Sequence, residues 1–140
     1  MTMKIKNKKL FITLVLLLLM SLCSCSLADR MSADECKVTY TANLIDNDSV
    51  GNEWYTALFY DGKHLPPKSV IAYSESLVFY AYAEEDDTVA DKKKVRVDFE
   101  SIKPGETLSK TVTVIVRENA GRYQGNRATW EFTITVKRGK

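Results

Sequence analysis

The most constraining feature of this chain is an alternation of apolar and polar residues with a period of two. Val38, Tyr40, Ala42 and Leu44 alternate with Lys37, Thr39, Thr41 and Asn43. Trp130, Phe132, Ile134 and Val136 alternate with Thr129, Glu131, Thr133 and Thr135. Successive side chains of a strand point to opposite faces, so such a segment buries one face and wets the other. Val112, Val114 and Val116 repeat the pattern, as do Val95, Val97 and Phe99. Leu77 to Ala83 is apolar and aromatic throughout, as a central strand covered on both faces would be. Trp54, Thr56, Leu58 and Tyr60 lead into Asp61-Gly62, a pair that tolerates the positive φ of a tight hairpin.

The punctuation between these segments fits the same fold. Pro66-Pro67 cannot donate to a ladder and marks a loop or an edge, with Ser69 to Tyr73 as a short edge strand. Pro104-Gly105-Glu106 turns the chain, and Asn119 to Asn126 is a glycine-bearing loop. Seven or eight short strands in one domain predict an all-β antiparallel sandwich of the immunoglobulin-like type, with a closed barrel as the competing architecture.

The first 24 residues follow another logic. Lys4, Lys6, Lys8 and Lys9 precede an apolar run from Leu10 to Met20. That run falls short of the roughly 20 residues a spanning helix needs and reads as the helix of a signal peptide. Behind it, Leu22-Cys23-Ser24-Cys25 resembles the lipobox of bacterial lipoproteins. The resemblance implies cleavage before Cys25, diacylglycerol on its sulfur and acylation, such as by palmitate, of the new amine. The expected organisation is therefore a lipoprotein signal peptide over 1–24, a lipidated tether over 25–34 and a β-sandwich over 35–140. The expected place is the extracytoplasmic face of a cell membrane or outer membrane, with membrane lipid as a partner through Cys25.

Cleavage changes the charge. Losing four lysines leaves sixteen basic residues against eighteen acidic ones. A slightly acidic product offers no electrostatic case for nucleic acid. Cleavage and acylation also leave Cys36 as the single thiol, so no internal disulfide can form. No His or basic cluster flanks it to make a thiolate, and it reads as a small strand residue packed in the core.

Over the remainder, the chain resembles small β-sandwich modules of uncharacterised bacterial surface proteins. The segments that carry the likeness are Asp48-Ser49-Val50-Gly51-Asn52-Glu53-Trp54 and Glu118-Asn119-Ala120-Gly121-Arg122-Tyr123-Gln124-Gly125-Asn126 before Trp130. It also looks like a C2 domain, a likeness that would place Ca²⁺ on Asp46, Asp48, Asp86, Asp87 and Asp91 if the two acidic loops meet at one end. Ca²⁺ takes six to eight oxygens, which carboxylates and loop carbonyls supply. Against this, Lys92, Lys93 and Lys94 follow immediately, and like-charge blocks usually face solvent.

Catalytic chemistry has little to stand on. His64 is the only histidine, expected in a loop from Lys63 to Lys68, and no nucleophile motif accompanies it. Aromatic residues are the stronger candidates, because rings on a sandwich surface stack on sugars or anchor protein partners. Tyr123, between Gly121 and Gly125 and beside Arg122, is the expected exposed ring. The sequence therefore points to a non-enzymatic binding or scaffolding module at the cell surface, with a cell-envelope protein or glycan as partner and a Ca²⁺-dependent module as the alternative.

Overall fold

The computed structural model describes residues 31–86 and 91–140. Asp87 and the whole of the lipobox, Cys25 included, lie outside the described residues. Among the described residues there are eight strands: β1 (Glu35–Asn47), β2 (Trp54–Tyr60), β3 (Lys63–Leu65), β4 (Lys68–Ala72), β5 (Ser76–Glu85), β6 (Asp91–Glu100), β7 (Thr107–Arg117) and β8 (Arg127–Arg138). They form two antiparallel four-stranded sheets, ordered β4-β1-β8-β7 and β3-β2-β5-β6. The inner faces pack together, so the all-β sandwich read from the alternation is the fold.

The first and last strands pair over most of their length, from Cys36 opposite Arg138 to Asn47 opposite Ala128, with one bulge between Leu44 and Asp46. Leu77 to Ala83 lies within the interior strand β5, hydrogen-bonded to β2 on one side and β6 on the other. At Asp61-Gly62 both residues have positive φ, 48° and 72°, the pairing a two-residue hairpin turn requires. That hairpin corrects one expectation. Lys63 to Leu65 is a short strand paired with β2 rather than part of a loop, and it puts His64 opposite Phe59.

The core has two parts. Toward the end where β1 starts, Cys36, Val38, Leu58, Phe79, Phe99 and Ile134 are buried together. Toward the other end, Ala81, Ala83, Val114, Val116 and Phe132 form a second cluster. The inner face of β5 thus shrinks from Leu77 and Phe79 to two alanines. Trp54 and Trp130, with ring centres 5.5 Å apart, pack against the alanine end of the core. Cys36 is fully buried, and burial pushes its thiol up despite the opposing pull of Arg138. A thiol held protonated this way is a packing residue.

Met31 to Asp34, the last residues of the expected tether, hydrogen-bond to the domain. Arg138 Nε donates to the Ala33 carbonyl at 2.6 Å. The Tyr73 amide donates to Asp34 at 2.7 Å and the Lys140 amide to Met31 at 3.3 Å. The chain therefore enters the sandwich beside its own C-terminus.

Candidate functional site

Two connections, residues 48–53 and 118–126, lie at the end of the sandwich where β1, β5 and β7 finish, with Asp86 and the start of β6 beside them. The first is built on Asn47. Its side-chain oxygen accepts from the Val50 amide at 2.9 Å, and its Nδ2 donates to the Gly51 carbonyl at 2.7 Å. Trp54 Nε1 donates to the same carbonyl at 3.2 Å. Gly51 has a φ of 139°, and a Cβ there would land on the buried Glu85 side chain. Glycine at this position lets the loop lie directly on the end of β5.

The second connection closes on itself. The Glu118 amide donates to Asn126 at 3.0 Å, and the Gly125 amide donates back to Glu118 at 2.9 Å. One tie joins it to the opposite sheet. The Asn119 amide donates to both carboxylate oxygens of Asp91, at 3.0 and 3.2 Å. Asp91 is fully buried, and a buried carboxylate needs such donors. Between the two connections lies an open cleft of about 400 Å³, lined by Asn47, Ser49, Gly51, Asn52 and Tyr123. Tyr123 is 49% exposed, and the Arg122 guanidinium carbon lies 5.7 Å from its ring centre.

The acidic residues nominated for Ca²⁺ are placed as follows. Asp46 belongs to β1, opposite Thr129, and not to the loop in which it was expected. The bulge at Leu44 lets β1 continue alongside β8 that far. Asp48 and Asp86 are exposed in their connections, and their amides bond to Arg127 and Glu53. The Asp91 oxygens are committed to Asn119. Both acidic segments do reach the same end. Among the described residues, however, no three His, Cys, Asp or Glu side chains come together as a metal would need.

The aromatic residues divide by face. Tyr40, Tyr60 and Tyr73 pack on the larger core cluster. Tyr55, Phe59, Tyr80 and Tyr82 lie on the outer face of β2 and β5, a surface the alternation alone hid because Leu77 to Ala83 reads as apolar throughout. Tyr82 meets Phe59 edge-on at 5.7 Å and Tyr55 at 6.1 Å. Its hydroxyl donates to Glu84 Oε2 at 2.7 Å.

Burial, reinforced by the hydrogen bond to Glu84, pushes the Tyr82 phenol from its ordinary value of 10 up to about 12. The folded state therefore keeps this proton where the unfolded chain releases it. The stability it contributes is complete below pH 10 and is lost as pH rises toward 12. An ultraviolet titration should show a tyrosinate that appears only near pH 12, and Glu84→Gln should bring it down.

No protein-family model, curated protein or solved structure matches the chain. What fold and site define is a class, a small antiparallel β-sandwich with a tyrosine-bordered cleft between its end loops.

Proposed function

We propose that this chain is an extracytoplasmic lipoprotein, held on a membrane through Cys25, whose sandwich is a non-enzymatic binding module for a cell-envelope protein or glycan. The observation that carries this reading is the placement of the cleft. The chain enters the domain at the start of β1, whereas Asn47 at the end of β1 lines the cleft. Thirteen residues at about 3.3 Å each separate the two by ~40 Å. The cleft thus lies at the end of the sandwich away from Met31, the side on which the segment bearing Cys25 joins the domain. Loops at the end of a rigid sandwich are common seats for binding residues, because the scaffold fixes them while their tips stay accessible.

Two measurements test this reading. Cys25→Ser should move the protein from the membrane fraction to the soluble fraction, since diacylglycerol is the expected anchor. Continued membrane association of that variant would count against lipidation. Tyr123→Ala should weaken retention on isolated cell-envelope material by about tenfold, the scale of an aromatic anchor in an interface. Undiminished retention would remove the cleft from the proposal.

A further inference from the structure

The outer face of the β3-β2-β5-β6 sheet carries an arrangement separate from the cleft. Strand register sets it out in rows. His64, Phe59, Tyr80 and Arg96 stand side by side across the four strands. The next row is Ala57, Tyr82 and Lys94, and the one beyond it is Tyr55, Glu84 and Lys92. Each row crosses the middle of the sheet and ends on a cation of β6, its edge strand. Ala57 points outward yet is fully buried, because the surrounding rings cover it. Tyr55 remains 45% exposed, and Phe59, Tyr80 and Tyr82 are half-buried. Lys94 Nζ lies 4.4 Å from the Tyr80 ring centre and 5.4 Å from that of Phe59.

We propose that this face binds an acidic polysaccharide, with a sugar ring stacked on Tyr55 and uronate carboxylates held by the β6 lysines. An aromatic face is electron-rich, and the C–H face of a pyranose is apolar and weakly positive, so the two attract. Lys94 already sits over the Tyr80 and Phe59 rings, one row from the exposed Tyr55, and so holds its charge at the aromatic face. Arg96 is paired with Asp98 at 2.8 Å, which leaves Lys92 and Lys94 as the cations for the ligand.

Two other kinds of partner fit less well. The core of a protein interface is depleted in lysine, whereas here a lysine lies over the rings. Binding to anionic lipid takes clusters of about four to eight basic residues. The three outward cations of β6 are instead offset by Glu84 and Asp98.

The test uses the full chain in neutral detergent, run through gels containing polygalacturonate or dextran. Polygalacturonate should retard it, salt should abolish the retardation, and dextran should have no effect. Tyr55→Ala and Lys94→Gln should each weaken the interaction about threefold to tenfold, while Val70→Ala, exposed on β4 of the other sheet, leaves it unchanged. Lys94→Gln keeps the side-chain stem and carries the test should Tyr55→Ala perturb folding. The proposal is overturned by the absence of retardation, by equal retardation in dextran, or by unchanged binding of Lys94→Gln. It also falls if the substitutions alter sedimentation with phosphatidylglycerol vesicles and leave polygalacturonate mobility untouched, since the face would then be a membrane contact. Because Tyr123 is outside this face, its failure and that of the cleft are read separately.

Discussion

Phe79→Ala is expected to lower the unfolding free energy by about 3–5 kcal/mol, the usual cost of emptying a buried aromatic site. Phe79 is fully buried on the interior strand β5. Its ring meets Phe99 edge-on at 5.7 Å and Tyr60 at 5.3 Å. The buried cluster it belongs to draws on both sheets, with Val38 and Ile134 from one and Leu58 and Val97 from the other. Paired strands cannot easily collapse into the emptied site, so the cost lies toward the upper part of the range. Single domains have only about 5–15 kcal/mol in hand. A urea melt should show a lower midpoint with an unchanged slope. The neighbour provides the control, because Tyr80 points to the outer face. Tyr80→Ala should cost clearly less, and equal losses would mean that β5 lies one residue out of this register.

Gly51→Ala is expected to cost about 2–4 kcal/mol, from backbone strain and overpacking together. The φ of 139° is one that residues with a Cβ rarely adopt. The new methyl would also collide with Glu85, which is nearly fully buried and has little room to retreat. Relief requires the loop to lift, and lifting it strains the bonds that Asn47 and Trp54 make to the Gly51 carbonyl. The variant should therefore lose cleft binding along with stability. Gly62→Ala separates the two causes. Gly62 also has a positive φ, 72°, but open space where its Cβ would go. Strain alone should then cost about 1–2 kcal/mol. Equal losses at the two glycines would show that contact with Glu85 contributes nothing.

Much of this was legible in the residues, and where it was not the reason is physical. Asp61-Gly62 announced its hairpin because a turn with two positive φ angles admits few residue pairs. The strand β3 was missed because three residues are too few to show a period and two prolines follow them. Asp46 reads as a loop residue because its own chemistry favours one, whereas its pairing with β8 depends on a bulge and on a partner more than eighty residues away. Tyr123 is legible as an exposed ring, since glycines on either side leave it little to pack against. The residues it shares a cleft with were not foreseen, because Asn47 and Ser49 look like ordinary turn residues until their loop is set beside another.

By itself the sequence determined that the domain is all β, roughly where most of its strands run, and, wherever a strand alternates, which side of it faces the core. Those are properties of one strand, written in its alternation. Only the tertiary structure decided which strands are neighbours, that β1 lies along β8, and that Asp91 and Asn119 join opposite sheets at one end. Strand pairing depends on how two faces fill the space between them and on which backbone donors find acceptors. Neither quantity exists until both strands are in place.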